Sequence, residues 1–240
     1  MATLFISDLH IDAGRPAITE HFLRFLATEA KHAEALYILG DLFESWVGDD
    51  AADSAQAAAI SGLHSLTSHG VPCFVMHGNR DFLLADQFCR MSGAQLLPDP
   101  LIETLYGEPV LVMHGDALCT DDGAYQRLRA TVREADWQRQ FLALSIASRR
   151  ALAGAARVGS QAHTAAVEYA ITDVNADSVA TALRNAGTAT LLHGHTHRPA
   201  IHALQVDGRP CTRIVLGDWY DQGSLLRWDH NGPDLMSLPR

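Results

Sequence analysis

Seven side chains stand out for the chemistry that their types and spacing allow. Asp8 and His10 are one residue apart, as are His195 and His197, and Asp41, Asn79 and His114 stand singly between the two pairs. All are oxygen or imidazole donors, with no thiolate in the set. Such a mixture favours manganese, iron, zinc or a similar borderline metal over a structural zinc site of the cysteine type. Seven donors exceed what one four-coordinate ion can use. Two ions about 3.5–4 Å apart, bridged by a carboxylate, would use them well and stabilise both attack and departure at phosphorus. Asp41, central in the set, is the natural bridge. A lone histidine is more often structural than ligating, so the reading rests on the set and not on any member.

The elements that must carry these residues follow one pattern. A short apolar run ends abruptly in metal-capable residues: Thr3-Leu-Phe-Ile-Ser7 before Asp8, Ala35-Leu-Tyr-Ile-Leu39 before Gly40-Asp41, and Pro72-Cys-Phe-Val-Met76 before His77-Gly-Asn79. Pro109-Val-Leu-Val-Met113 precedes His114, and Ala189-Thr-Leu-Leu192 precedes His193-Gly-His-Thr-His197. Runs of this length read as buried strands. Between them, Ile18 to Ala33 and Asp53 to Ser68 are rich in alanine and leucine and read as helices. Strands alternating with helices define an α/β domain, in which function collects at the carboxyl ends of the strands. Residues i and i+2 of a strand face one side, so Asp8 and His10 are expected to face one site from a frayed strand end.

Between Asp121 and about Asn185 no strand is evident, and a helical insertion over the active edge is expected. After Pro199, Thr212-Arg-Ile-Val-Leu216 and Ser224-Leu-Leu-Arg-Trp228, joined through Asp221-Gln-Gly223, read as a closing β-hairpin. The expected organisation is one domain over 1–240 with an inserted helical cap over 122–185. The chain has 240 residues, 48% of them hydrophobic, enough for one sizeable core. A net charge of −10 argues against a nucleic-acid partner. Seven of the 18 basic residues nonetheless fall between 127 and 157: Arg127, Arg129, Arg133, Arg139, Arg149, Arg150 and Arg157. They are either a solvated helix face or a surface for an anionic ligand or membrane. No apolar run approaches the roughly 20 residues of a membrane span. The first strand begins almost at once, so no targeting segment is expected, and four scattered cysteines fit reduced thiols in the cytoplasm.

Asp8-x-His10, Gly40-Asp41, Gly78-Asn79, His114 and Gly194-His195-x-His197 resemble, motif by motif and in order, the calcineurin-like metallophosphoesterases. The resemblance implies a four-layer α/β/β/α sandwich and a dinuclear centre. It places Asp8, His10, Asp41 and His197 on one ion, and Asp41, Asn79, His114 and His195 on the other. Most members follow the asparagine with a histidine; here Arg80 stands in that place. Arginine does not give up its proton at neutral pH but can clamp phosphate oxygens. A leaving group that needs charge stabilisation more than protonation, such as a phosphate, therefore fits better than an alkoxide.

The wider context, including Ile38-Leu-Gly-Asp-Leu-Phe-Glu44, Met76-His-Gly-Asn-Arg-Asp-Phe82, Leu118-Cys-Thr-Asp121, Asp173-Val-Asn175 and His193-Gly-His-Thr-His-Arg-Pro199, resembles the branch of that family acting on UDP-2,3-diacylglucosamine in lipid A biosynthesis. That resemblance implies manganese as the metal and attack of metal-activated water on the α-phosphorus, giving UMP and 2,3-diacylglucosamine 1-phosphate. It assigns the reaction to Asp41, Asn79, Arg80 and His195. Substrate contacts are implied at Asn79, Arg80, Asp122, Tyr125, Arg157, Ser160, Thr164 and His195. It also implies a cap that encloses acyl chains; a basic, amphipathic cap of this kind can rest on the anionic inner leaflet from the cytoplasmic side, and a monomer is expected. The pattern breaks at Val167, where relatives usually carry a lysine. Glu44, Asp49, Asp50, Asp81 and Asp116 can orient ligands from behind, or serve only as caps and turns. Two rival readings are a related hydrolase of soluble nucleotides, polyphosphates or phosphoproteins, and a binding subunit on a degenerate fold. The apolar, arginine-rich insertion speaks against the first, and the complete donor set against the second.

Overall fold

A computed structural model describes residues 1–166 and 173–239, with the backbone alone described over 160–166. Thr164 and Ser160 therefore have a place on a helix but no described side chain, and Val167 lies outside the described residues.

The short apolar runs become the parallel centres of two mixed sheets. In the first, β1 (Thr3–Ile6), β2 (Ala35–Leu39), β3 (Cys73–Met76) and β4 (Gln95–Leu97) run parallel. In the second, β5 (Leu101–Leu105) pairs antiparallel with β6 (Glu108–Val112), which is parallel to β7 (Thr190–His193). The second sheet is completed by β8 (Ala200–Val206) and β9 (Arg209–Val215), in the order β5-β6-β7-β9-β8. The first is completed by β10 (Gly223–Asp229) and β11 (Gly232–Leu238), in the order β11-β10-β1-β2-β3-β4.

Strand alternation distributes the side chains of these runs to opposite faces. Phe5, Tyr37, Leu39 and Met76 of the first sheet pack directly against Val110, Val112, Leu192 and Ile214 of the second. The opposite face of the first sheet, with Leu4, Ile6, Leu36 and Ile38, receives α1 (Pro16–Thr28), α2 (Ser54–Ser68) and α3 (Asp86–Ser92). The outer face of the second, with Leu111 and Leu191, receives α7 (Ala176–Ala186) through Val179 and Leu183. Helices, sheet, sheet and helix make the four layers that the resemblance implies.

The remaining helices are α4 (Gly123–Val132), α5 (Ala135–Leu142) and α6 (Ile146–Ala166). Phe141, Trp137, Ile146 and Ala153 pack against the helix side of the first sheet's core. α7 also falls within 122–185, yet it belongs to the outer layer behind the second sheet. Asn175 ties the far end of this stretch to its beginning, with Nδ2 on the Asp121 carboxylate at 2.9 and 3.1 Å.

The expected closing hairpin is not formed. β9 pairs with β7 and β8, whereas β10 pairs with β1 and β11, so the connection between them crosses from one sheet to the other. The hairpins that do form are β8–β9 and β10–β11. The first turns through Asp207-Gly208, both at positive φ (51° and 77°), the backbone that a two-residue type I′ turn requires.

Candidate active site

The carboxyl ends of β1, β2 and β3 meet those of β6 and β7 along one edge, and every donor lies just past a strand end. Backbone pairing continues beyond the strands and locks the loops together: Asp8 N donates to Gly40 O (3.1 Å), His10 N to Asp41 O (3.0 Å) and Gly194 N to His114 O (2.9 Å). The loops need glycine where they touch. A Cβ on Gly40 would meet His114 Nδ1 at 2.5 Å, and one on Gly78 would fall on the Asp41 carboxylate.

The expectation that Asp8 and His10 face the site as extended-strand neighbours is corrected by the backbone. β1 ends at Ile6, and Asp8, His10, Asp41, His195 and His197 all have positive φ, between 52° and 67°. Each such residue costs about 1–2 kcal/mol relative to ordinary backbone. The left-handed turn at every second residue, not the pleat, aims both members of each pair inward. Strain of this kind persists where the surroundings over-determine it, which is typical of functional sites.

The inward atoms form two groups. Asp8 Oδ1, His10 Nε2 and His197 Nε2 make the first: the two imidazole nitrogens are 3.1 Å apart, and His197 Nε2 is 3.4 Å from Asp8 Oδ1. Asn79 Oδ1, His114 Nε2 and His195 Nδ1 make the second, with Asn79 Oδ1 at 3.0 Å from His114 and 2.9 Å from His195. Asp41 Oδ2 lies between them, 3.8 Å from both His10 Nε2 and His114 Nε2. Its other oxygen accepts Arg80 N at 2.8 Å.

Hydrogen-bond partners decide what these atoms present. His114 Nδ1 faces the Leu39 carbonyl at 2.8 Å and His10 Nδ1 lies 3.0 Å from the Glu44 carboxylate, so each ring has an acceptor behind it at Nδ1. Their Nε2 atoms are turned inward, toward His197 Nε2 and Asn79 Oδ1. Asp8 Oδ1 is buried with no hydrogen-bond donor. Acceptors converging on one point need positive charge between them, from protons or from a cation.

Without a cation, the crowded carboxylates and imidazoles compensate one another by taking up protons. Burial pushes the Asp41 carboxyl up toward its neutral form, with Asp81 and Asp8 adding to the effect and the imidazoles opposing it. Burial opposes the charged form of His114, yet the Asp41, Asp116 and Asp8 carboxylates outweigh it and raise its pKa to about 9. Burial and the neighbouring His114 push His195 down to about 3, so it is neutral at pH 7, as a metal ligand must be. The residues present fit two divalent ions.

Behind the donors, Glu44 joins His10 Nδ1 to two guanidinium groups, Arg15 Nη2 at 2.8 Å and Arg157 Nε at 2.9 Å. Burial would raise Glu44, but the bond to His10 and the charges of His10, Arg80 and Arg157 hold it down at about 2. Buried Asp116 accepts Tyr125 Oη (2.7 Å) and Arg129 Nε (2.8 Å), and the Tyr125 ring stacks on His195. Asp49 holds Trp46 Nε1 (3.0 Å) and Phe88 N (2.9 Å), Asp50 pairs with Arg149, and Asp81 gathers the N–H groups of the ligand loops. Asp122 caps α4 by accepting Tyr125 N at 2.9 Å.

A cavity of about 570 Å³ opens from this centre and runs between the core and α4, α5 and α6. Asn79, Arg80, Asp116 and Tyr125 line its polar end, and Trp137, Phe141, Leu144 and Leu152 its apolar end. Arg157 lines it too, whereas Asp122 does not.

The model of the calcineurin-like phosphoesterase family matches residues 1–199, which span every donor. The chain belongs to the calcineurin-like phosphoesterases. Within that family it is 53% identical to the UDP-2,3-diacylglucosamine hydrolase of Stenotrophomonas maltophilia (strain R551-3), with all of both chains covered. It is 52% identical to the protein of the same name from Xanthomonas axonopodis pv. citri (strain 306), with 99% of each covered.

Three residues at the phosphoesterase centre are absent from the sequence reading: Arg15, Asp218 and Tyr220. Arg15 lies over the Tyr220 ring at 4.5 Å, and that ring faces His10 and His197. A signal for Asp218 exists. Ile214-Val-Leu216 followed by Gly217-Asp218 repeats the apolar-run-then-Gly-Asp pattern of Leu39-Gly40-Asp41.

Proposed function

We propose that this chain hydrolyses the pyrophosphate bond of UDP-2,3-diacylglucosamine, releasing UMP and 2,3-diacylglucosamine 1-phosphate. The observation that carries the proposal is the cavity of about 570 Å³ that runs from the polar side chains of a phosphoesterase centre to an apolar end under the cap. A soluble nucleotide has no use for such a chamber, while acyl chains gain about 0.8 kcal/mol per buried methylene. The names borne by the full-length relatives support the same substrate.

In this reading Asp8, His10, Asp41 and His197 hold one divalent ion, manganese, and Asp41, Asn79, His114 and His195 hold the other. The ions supply charge to the phosphoryl oxygens and acidify water at neutral pH. Arg80 reaches into the polar end of the cavity, where its fork clamps the diphosphate and offsets charge on the departing phosphate. Its backbone is pinned on both sides, N to Asp41 Oδ1 (2.8 Å) and O from Trp46 N (3.1 Å). Tyr125 holds the His195 ring by stacking, and Arg157 serves the sugar side of the cavity. Ser160 and Thr164, one turn of α6 apart, contact the substrate from the cap, which consists of α4, α5 and α6. Asp122 supports the site by starting α4. The protein works as a monomer at the inner leaflet of the membrane, drawing its lipid substrate in through the cap.

The test is UMP release from UDP-2,3-diacylglucosamine in mild detergent with Mn²⁺ and H₂¹⁸O. We expect ¹⁸O in the UMP, no reaction with UDP-N-acetylglucosamine, and none by His195→Ala. Cleavage of soluble diesters with the lipid untouched would end the substrate assignment and leave the metal centre standing.

A further inference from the structure

Asp218 lies beyond the stretch 1–199 matched by the family model, in the crossing between β9 and β10. Alternation along this crossing decides what faces the centre. Trp219 is fully buried, its ring packed on His21, Phe22 and Phe25, and its backbone N–H donates to Asp8 O at 3.2 Å. With Trp219 anchored inward, its two neighbours turn to the site. The Tyr220 ring faces His10 and His197, and Asp218 Oδ2 lies 3.4 Å from His197 Nδ1. Asp218 Oδ1 is engaged by Tyr220 N at 3.0 Å, which sets the direction of the carboxylate.

We propose that Asp218 is a positioning residue: its carboxylate holds the proton of His197 on Nδ1, so that Nε2 is presented to the ion shared with Asp8 and His10. The inference rests on the reading of the centre as a two-ion site. An imidazole has one proton to place, and a carboxylate at one nitrogen leaves the lone pair on the other and raises its basicity. His10 receives the same treatment from Glu44 at 3.0 Å. The first ion thus has both imidazoles backed by carboxylates. At the second, His114 is backed by the Leu39 carbonyl, and His195 already turns Nδ1 toward Asn79. Loss of Asp218 should therefore be felt at one ion and not at the other.

Asp218→Asn separates this role from a purely local one. The amide keeps an oxygen for Tyr220 N, and therefore the turn, but brings no charge to His197 Nδ1. Apo-protein titrated calorimetrically with Mn²⁺ should take up two ions in the wild type. In Asp218→Asn one of them should bind about 10–100-fold more weakly, the other as before, with an unchanged apo melting temperature. The magnetically coupled signal of paired Mn²⁺ in electron paramagnetic resonance should give way to that of single ions at limiting metal. Asp218→Glu should recover part of the lost affinity. Unchanged affinity at both sites, an equal loss at both, a lowered apo melting temperature, or a Glu variant no better than Asn would overturn the assignment. A wild type that binds no Mn²⁺ would instead overturn the two-ion reading beneath it.

Discussion

The Asp81 carboxylate, fully buried, accepts four backbone N–H groups: Gly78 at 2.8 Å, Leu42 at 2.8 Å, and Asp41 and Phe43 at 3.3 Å each. Two ligand loops are thereby tied to one side chain, which is how a backbone with Asp41 at positive φ is held in place. Asp81→Asn would turn an NH₂ group toward N–H donors. Leaving such buried donors unsatisfied costs about 1–3 kcal/mol, more around a charge. We expect apo-protein to lose about 2–4 kcal/mol in urea unfolding and Mn²⁺ uptake to fall at the same time. A urea midpoint equal to wild type would refute this role. At this scale the donor types and their order are legible in the sequence, because chemistry dictates residue type. The left-handed backbone of Asp8, His10, Asp41, His195 and His197 is not, because aspartate and histidine tolerate that conformation without announcing it. Asp218 is legible only through its Gly-Asp after an apolar run, a signal masked by taking the crossing for a hairpin turn.

Arginines fasten the helices α4 to α6 to the core. Arg149, only 3% exposed, grips Asp50 with two bonds of 2.7 and 2.5 Å and the Val47 carbonyl at 2.6 Å. Arg133 bonds the Gly78 carbonyl at 3.0 Å and Arg150 the Ala51 carbonyl at 3.0 Å. Arg149→Met should free the cap locally, speeding amide exchange in α5 and the first half of α6 about 10–100-fold while the sheets keep their protection. Equal exchange in variant and wild type would mean that apolar packing alone holds the cap. Acid should act in the same direction. The bond to Arg149 holds the Asp50 carboxyl below the usual carboxylate range, so its contribution is complete above the unfolded-state value. It is lost as the pH falls through the lowered folded-state value. Protection of the cap relative to intrinsic exchange should thus fall on acidification in the wild type and change less in Arg149→Met. Helical character in this stretch is visible from composition, but α7 is not separable from the cap by periodicity alone. Its place behind the second sheet is decided by Val179 and Leu183 meeting Leu111 and Leu191. Asp207-Gly208 carries the residue types of the β8–β9 turn, a signal absent from the sequence reading; the sheet-to-sheet crossing after β9 has no such signal, since pairing partners far apart in sequence decide it.

Over the whole molecule, no disulfide forms among the described residues, and burial raises the Cys73 and Cys119 thiols to about 12. A thiol reagent at pH 8 should reach half-buried Cys89 first and Cys73 and Cys119 only on unfolding; rapid labelling of either in the native protein would contradict the packing described. The surface bears on how the protein meets its substrate. The chain carries a net charge of −10, and the basic stretch that suggests an anionic membrane has much of its charge engaged in ion pairs: Arg129 with Asp116, Arg139 with Asp136, Arg149 with Asp50 and Arg157 with Glu44. Beside exposed Arg127 and Arg150, the cap also leaves large apolar side chains in solvent. Leu128, Leu142, Leu144, Leu152 and Val158 are 53, 41, 41, 52 and 67% exposed. A surface of this kind binds lipid by burying hydrocarbon, worth about 25 cal/mol per Å², and not by releasing counterions. Charge-driven binding would collapse when salt shortens the Debye length to about 3 Å at 1 M, whereas binding through these side chains should persist. We therefore expect flotation with phospholipid vesicles at both low and high salt, with little preference for anionic over neutral lipid. Leu142→Asp with Val158→Asp, at two positions that do not line the cavity, should lower vesicle partitioning about tenfold or more, since 1.4 kcal/mol already suffices for that. Binding abolished by salt and indifferent to these two substitutions would return the contact to the arginines. No binding under any condition would leave the apolar side chains of the cap facing only the cavity and its ligand.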